Sequence, residues 1–233
     1  MEKKYKKTAA IVLAAGSGSR MSADKTKQML EIDGKSILKH TLLAFEAAKS
    51  ISEIVVVCRD GEQNFVNNEL QSIGKCSKIV TGGKCRAESA SIGFYQISDD
   101  IEYIMIHDAA RCLITPYEID LVAEAVYEYK AATASVAVSD TLKRCNGKRI
   151  AETVPRKDLR AVQTPQAFER DLYSRALACA PIIDETITDD NMLLENMGIS
   201  PYCVETLPSN IKITTSYDLE FAEFILLKRK GEI

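Results

Sequence analysis

Residues 9–28 read AAIVLAAGSGSRMSADKTKQ, an apolar run followed by a loop of small residues that ends in cations. The first five residues have the composition of a buried strand. Gly16 and Gly18 permit positive φ angles and close approach of the backbone to a ligand, so successive N–H groups can converge on phosphate oxygens. Arg20 and Lys27 add full positive charge. The stretch therefore predicts a strand followed by a loop that binds a polyphosphate.

Two commoner glycine loops are excluded by spacing. The dinucleotide-binding fingerprint needs a third glycine where this chain has Met21. The Walker A motif needs a leading glycine where this chain has Met29, although residues 34–36 supply its Gly-Lys-Ser ending. The remaining interpretation is a clamp of cationic side chains around a nucleoside triphosphate, with Ala14 and Ala15 leaving room for a base. A plain glycine turn between a strand and a helix is the alternative.

Length and charge bound the class of protein. A chain of 233 residues suits a single α/β domain, and we expect one domain over residues 1–233. With 30 basic and 33 acidic residues the net charge is −3, so no global electrostatic footprint for nucleic acid is present. The sequence lacks the apolar core of a signal peptide and any uninterrupted apolar run of about 18 residues. We therefore expect a cytoplasmic protein with no nucleic-acid or membrane partner.

The cysteines do not indicate a disulfide framework or a structural metal site. Seven are scattered along the chain without a Cys-x-x-Cys pair, and only His40 and His107 are available to complete a zinc site.

Short apolar runs alternate with amphipathic helical segments. The predicted strands are 9–13, 53–58, 78–81, 103–107 and 132–138. The predicted helices are 36–48, 62–73, 88–97, 117–130, 170–178, 189–196 and 217–230. The runs are mostly continuous, as in strands covered on both faces. This order predicts a Rossmann-like three-layer α/β/α domain with a mainly parallel sheet.

The regular pattern breaks at residues 139–157. Asn146-Gly147 lies between two polar segments and predicts a hairpin with a type I′ turn. A polar two-stranded hairpin is barely stable alone. We therefore expect a protruding β-hairpin arm that packs on a second subunit.

Polar clusters follow the predicted strands, at the sheet edge where open α/β sheets bind ligands. Residues 82–89 begin with paired glycines and end in Ser89, which is a candidate for contact with a base or ribose. A glycine-rich helix start without a binding role is the alternative for this segment. In residues 107–111, Asp108 is a candidate Mg²⁺ ligand, since Mg²⁺ takes one or two carboxylates together with phosphate oxygens and water. A contact to a substrate hydroxyl is the competing role. We expect His107 to be buried and hydrogen-bonded.

Hydroxyl groups and cations then alternate along the second half of the chain. Together they predict a pocket for a phosphorylated polyol, with cations for the phosphate and hydroxyls for the alcohols. They are Arg111, Thr141, Arg156, Thr164, Thr188 and Lys212.

These motifs resemble the 2-C-methyl-D-erythritol 4-phosphate cytidylyltransferase family of isoprenoid biosynthesis, over nearly the whole chain. The matching segments are 13–21, Lys27-Gln28, Gly82-Gly83 with Arg86 and Ser89, 107–111, Asp140-Thr141, 163–168, 188–190 and 210–214. The resemblance implies a nucleotidyltransferase fold and transfer of CMP from CTP to methylerythritol phosphate with Mg²⁺. It also implies a homodimer in which each arm reaches the neighbouring active site.

The resemblance assigns roles position by position. Arg20 and Lys27 stabilise the transition state. The residues around CTP are Ala14, Ala15, Gly16, Ser17, Gly18, Gly82, Gly83 and Ser89. Those that bind methylerythritol phosphate are Asp108, Arg111, Thr141, Arg156, Thr164, Thr188 and Lys212, with Thr141 and Arg156 donated across the dimer.

Four positions depart from the family pattern. Thr26 and Cys112 replace usual prolines, and Lys84 and Cys85 stand where acidic residues are frequent.

Three other functions remain open from the sequence. Ribitol 5-phosphate cytidylyltransferases share the fold, but they tend to carry a second glycine where this chain has Ala15. A nucleotide-binding module without catalysis has no need to keep Arg20, Lys27 and Asp108 together. Sugar-nucleotide synthesis with UTP or ATP follows from the general fold.

Overall fold

The computed structural model describes residues 5–16, 26–180 and 182–232. The strands are β1 (Thr8–Ala14), β2 (Glu31–Ile32), β3 (Lys35–Ser36), β4 (Ile51–Cys58), β5 (Cys76–Thr81), β6 (Tyr103–Asp108), β7 (Ala131–Ala137), β8 (Leu142–Asn146), β9 (Arg149–Val154), β10 (Arg160–Glu169) and β11 (Tyr202–Glu205). The helices are α1 (Ile37–Ala47), α2 (Gln63–Glu69), α3 (Arg86–Phe94), α4 (Pro116–Tyr129), α5 (Arg170–Cys179), α6 (Asn191–Glu195) and α7 (Ser216–Lys230).

A seven-stranded sheet forms the middle layer, in the order β11-β7-β10-β6-β1-β4-β5. Strand β1 pairs in parallel with both β4 and β6. The next strands of the sheet in chain order, β4 and β5, lie on one side of β1, and its later strands, from β6 onward, lie on the other side. The strand order therefore reverses at β1, which is the switch point where ligands bind in open α/β sheets. The prediction of a mainly parallel sheet is confirmed.

Helices cover both faces of this sheet. Along β1, Ala10 and Val12 face a core cluster with α1 and α4, whereas Ile11 and Leu13 face a cluster with α3 and α5. Because both faces are covered, the strand is apolar at every position after Thr8, as the sequence indicated. The three-layer α/β/α class is confirmed.

The helix termini follow their local sequence signals. Thr115 caps α4, and its side chain and that of Glu118 form a reciprocal capping box with Pro116 at the first helical position. Ser36 caps α1 by accepting the Lys39 N–H. Helix α2, in contrast, is shorter than the predicted segment 62–73.

Strand β10 was not predicted. It runs antiparallel to both β6 and β7, and its pairing with β7 is interrupted between Val162 and Gln166, where the Thr164–Pro165 peptide bond is cis. The stretch is polar and contains a proline, so it lacks the continuous apolar pattern of the other central strands.

The predicted hairpin is formed by β8 and β9, and both strands are largely exposed. The expected type I′ turn is wrong, since it requires positive φ at Asn146 and Gly147, and of these only Gly147 has it. Asn146 pairs with Arg149, so the turn lies one residue later, at Gly147-Lys148.

In the described part of the chain, no helix is both long and apolar enough to span a bilayer.

Candidate active site

A cavity of about 450 Å³ opens at the carboxyl ends of β1, β4, β5 and β6. Among the described residues that line it, five carry a positive charge and one is a carboxylate, so the cavity suits an anionic ligand although the whole chain is acidic. The predicted site residues among them are Ala14, Ala15, Gly16, Lys27, Gly83, Ser89, Asp108 and Lys212.

Paired glycines bring the loop after β5 against the end of β1. A Cβ atom at Gly82 would lie 2.7 Å from the Ala15 Cβ and 2.8 Å from the Ser89 Oγ, so no other residue fits there without a shift. Ser89 Oγ accepts the Gly83 N–H at 3.0 Å and donates to the Cys85 carbonyl at 2.9 Å. The Ser89 hydroxyl thus holds the shape of the loop beside the cavity.

Lys27 begins a short 3₁₀ helix, Lys27–Met29, and the side chain of its neighbour Gln28 holds this helix in place by hydrogen bonds. The Gln28 side chain is buried and donates from Nε2 to the Ala14 carbonyl at 2.5 Å and to Glu62 Oε2 at 3.0 Å. Because both acceptors belong to the scaffold, the segment carrying Lys27 is tied to the end of β1 and the start of α2.

Asp108 ends β6 and is held between two cations. Its Oδ1 lies 3.1 Å from Arg86 Nε and its Oδ2 lies 2.7 Å from Lys212 Nζ. Burial alone would raise the pKa of this carboxyl, but Arg86 and Lys212 outweigh burial and hold the pKa well below its usual range. Asp108 is therefore ionised at neutral pH and orients both cations.

His107 is fully buried one residue earlier, as predicted. Thr164 Oγ1 accepts the Asp108 N–H at 3.1 Å and lies 3.0 Å from His107 Nδ1, and His107 Nε2 lies 3.2 Å from the Arg111 carbonyl. The neutral tautomer with hydrogen on Nε2 satisfies both ring contacts. Burial lowers the pKa of His107 to about 3, in agreement with a neutral ring.

Asn210 joins this buried cluster to the segment carrying Lys212. Its side-chain Nδ2 donates to Gln163 Oε1 at 3.0 Å and to the Thr164 backbone carbonyl at 2.9 Å. The backbone carbonyl of Asn210 accepts a hydrogen bond from Arg111 Nη1 at 2.9 Å. Arg111 and Thr164 do not line the cavity. Their hydrogen bonds connect the end of β6 to Asn210 and to β10.

Thr188 is exposed, and its hydroxyl lies 3.1 Å from Met192 Sδ. The two following residues are fixed by Gln166, which donates to Asp189 Oδ2 at 2.7 Å and accepts the Asp190 N–H at 2.9 Å. Strand β10 thus anchors the segment that carries Thr188.

Thr141 and Arg156 lie on or beside the arm, are exposed, and are not part of the cavity of their own chain. Arg156 donates to the Ser139 carbonyl at the base of the arm.

Sequence reasoning assigned no role to Arg86, Gln28, Glu62 or Asn210. Gln28, Arg86 and Asn210 belong to the motifs that carry the family resemblance, and this membership was the signal that could have identified them as site residues. Their partners, however, are distant in sequence. Arg20, Ser17 and Gly18 lie outside the described residues, so their predicted roles stay predictions.

The Asp108 carboxylate does not fit direct ligation of a metal ion in this arrangement, because each oxygen already faces a cation. Among the residues that the structure describes, no group of three or more His, Cys, Asp or Glu side chains is placed to hold a metal.

A glycine loop, a cationic cavity at the switch point and a mainly parallel three-layer sheet together define a nucleotidyltransferase. The 2-C-methyl-D-erythritol 4-phosphate cytidylyltransferase family model matches residues 8–228. The chain belongs to this family.

Named relatives agree. The chain is 40% identical over 223 residues to 2-C-methyl-D-erythritol 4-phosphate cytidylyltransferase of Halalkalibacterium halodurans, covering 94% of this chain and 97% of that protein. It is 42% identical over 228 residues to the Clostridium botulinum enzyme of the same name, covering 95% and 98%. The crystal structure of 4-diphosphocytidyl-2C-methyl-D-erythritol synthase from Anaerococcus prevotii superposes with a TM-score of 0.82 at 28% identity, covering 95% and 96%.

Proposed function

We propose that this chain transfers CMP from CTP to 2-C-methyl-D-erythritol 4-phosphate and releases pyrophosphate. Membership of the family over residues 8–228 supports the reaction. The observation that carries it in the structure is one cavity that is lined by both glycine loops and Lys27 as well as by the Asp108–Lys212 pair. Such a cavity suits two anionic substrates that must meet.

The reaction joins a phosphate oxygen of the acceptor to the α-phosphorus of CTP and breaks the bond to pyrophosphate. The attacking oxygen is already anionic at neutral pH, so the chain does not need a general base. Catalysis then consists of positioning and charge stabilisation. A unit charge about 4 Å from an opposite charge contributes about 4 kcal/mol at an effective dielectric near 20.

We assign these tasks to the predicted site residues. Arg20 and Lys27 stabilise charge at the reacting phosphorus. The loop residues around Ala14–Gly18, with Gly82, Gly83 and Ser89, surround CTP. Lys212, oriented by Asp108, holds the acceptor, and Arg111, Thr164 and Thr188 shape its site.

The arm completes the site in a homodimer. Thr141 and Arg156 do not line the cavity of their own chain, and both strands of the β8–β9 hairpin are largely exposed within one chain. A two-fold symmetric pair of single-domain subunits, each lending residues 139–157 to its neighbour, gives both hairpins a packing surface.

Mg²⁺ bound to the triphosphate would supply neutralisation of phosphate charge, and it would need no protein cage, since Mg²⁺ is satisfied by phosphate oxygens and water.

The test is pyrophosphate release from CTP and Mg²⁺ with two acceptors, methylerythritol phosphate and ribitol 5-phosphate. Release with methylerythritol phosphate alone is expected. Release with ribitol 5-phosphate alone would show that ribitol 5-phosphate, and not methylerythritol phosphate, is the acceptor. Tight CTP binding without release from either acceptor would make the chain a binding module, and the same assay with UTP and ATP reports base selectivity.

A further inference from the structure

Arg86 lies between two carboxylates from different parts of the chain. It is the first residue of α3, directly after the glycine loop. Its Nε lies 3.1 Å from Asp108 Oδ1 and its Nη1 lies 2.6 Å from Asp190 Oδ2. One guanidinium therefore ties the end of β6 to the segment that precedes α6.

The buried charge of Asp190 is compensated by its ion pair with Arg86. The Asp190 side chain is 1% exposed, and its other oxygen accepts the Tyr173 hydroxyl at 2.8 Å. A buried carboxylate needs a compensating charge as well as hydrogen bonds. Among the described residues, Arg86 is the cation paired with Asp190. Arg86 also shares the Asp108 carboxylate with Lys212.

The nucleotide side of the cavity is held by other contacts. Gly82 N–H donates to the Cys58 carbonyl at 2.8 Å, and Ser89 connects Gly83 to Cys85. These bonds use backbone groups and the Ser89 hydroxyl, and none of them uses the Arg86 guanidinium. The two sides of the cavity therefore differ in their dependence on Arg86.

We propose that Arg86 is a positioning residue for the acceptor substrate: its guanidinium holds Asp108, and through it Lys212, in a fixed relation to the 188–190 segment. The proposal rests on the proposed function. It makes acceptor binding more sensitive to Arg86 than CTP binding is, although Arg86 also lines the cavity.

Lysine does not replace arginine here. A planar guanidinium presents two edges to two carboxylates at once, whereas an ammonium group is a single point of charge on a flexible stem. Arg86→Lys keeps the charge but keeps only one of the two contacts in good geometry.

The experiment compares Arg86→Met, Arg86→Lys and Asp190→Asn with the wild type. Steady-state kinetics give kcat and the KM for methylerythritol phosphate, and calorimetry gives the Kd for CTP. In Arg86→Met we expect the acceptor KM to rise and kcat to fall by at least about tenfold each, since small misplacements at a reacting centre have effects of that size. The CTP Kd is expected to rise by less than the acceptor KM, because the hydrogen bonds that hold the glycine loop do not use the Arg86 guanidinium. Arg86→Lys gives an intermediate loss.

The matched control is Asp99→Asn. It breaks an ion pair with Arg170 at 3.3 Å at the opposite end of the sheet and is expected to leave all three constants unchanged.

A double variant separates positioning from simple stabilisation. Arg86→Met with Asp190→Asn removes the buried carboxylate together with its cation, so its melting temperature is expected to exceed that of Arg86→Met alone. The acceptor KM stays raised in the double variant, because Asp108 and Lys212 still lack their anchor. If Arg86→Met does not fold, this double variant is the one assayed.

Recovery of the acceptor KM together with stability would show a merely structural role and overturn the proposal. Equal weakening of CTP and acceptor binding would overturn it as well. If the wild type releases no pyrophosphate with either acceptor, the proposed function fails. Calorimetric titration of methylerythritol phosphate and CTP into each variant then decides the role of Arg86 independently.

Discussion

The buried cluster at the ends of β6 and β10 and the exposed arm carry predicted acceptor-binding residues in opposite environments. Thr164 is 4% exposed and hydrogen-bonded to His107 and Asp108. Thr141 and Arg156 are exposed and outside the cavity. The first region is organised within one chain, so its geometry exists before substrate arrives. The second acquires a defined place only against another surface.

The largest effect is expected from removing Lys27, the cation that we assign to the reacting phosphorus within the cavity of one chain. Lys27→Ala is expected to fold normally and to lower kcat by at least about 10²-fold, because a lost charge at the reacting phosphorus has no replacement. Pyrophosphate release measures it. Lys7→Ala, which removes an exposed pair with Asp100 near the amino end of β1, is the control. Turnover near that of the wild type would contradict the role of Lys27.

The next prediction tests the arm. Arg156→Ala is expected to be nearly inactive alone, and so is Lys27→Ala. Mixing the two variants by co-refolding restores about a quarter of wild-type activity, because half of the dimers are mixed and each mixed dimer has one intact site.

An arm that acts within its own chain gives no such recovery. Mixing Lys27→Ala with itself serves as the baseline.

A smaller effect concerns the stability of the buried cluster. The pKa of His107 is lowered to about 3 in the folded chain, below its ordinary value of 6.5. The unfolded chain therefore binds more protons between these two values, and stability falls as the pH drops through 6.5. The expected loss from this residue is up to about 3 kcal/mol between pH 7 and pH 4. The pKa of Asp108 is also lowered, so its contribution persists down to pH 4 and is lost only below it.

Urea unfolding from pH 4 to pH 7 measures this effect. His107→Gln is expected to be less stable at pH 7 and to show a flatter pH dependence. His40→Gln, which changes the only other histidine of the chain, is the comparison. An unchanged slope in His107→Gln would refute a neutral buried His107.

The smallest effect is expected on the arm itself. Arg144 and Glu152 form a 2.6 Å ion pair across β8 and β9, with side chains 68% and 58% exposed. Glu152→Gln is expected to change the free energy of unfolding by less than about 0.5 kcal/mol, because water screens such pairs. A larger change, measured by urea unfolding, would mean that this pair is buried in a dimer.

The sequence predicted most elements that have strong local signals. The apolar strands β1, β4 and β6 and the capped helix α4 follow from composition and from Thr115-Pro116. Strand β10 could not be predicted in the same way, since its place between β6 and β7 depends on pairing with residues that are distant in the chain. The turn of the arm was misplaced by one residue because Asn-Gly favours, but does not fix, the two central positions.

The candidate site also has a part that the sequence predicted and a part that it did not. Asp108, Lys27 and Lys212 were recognised singly, as residue types in motifs. Their arrangement was not, because the Arg86–Asp108–Lys212 and Arg86–Asp190 contacts join residues up to 104 positions apart.

The sequence by itself determined the glycine loop, the alternation of strands and helices, and the residues available for phosphate chemistry, since these depend on local conformational preference and periodicity. Only the tertiary structure decided which cation faces which carboxylate and which titratable groups are buried. Those properties arise from packing between distant segments, and packing sets the charge of His107 and the orientation of Lys212.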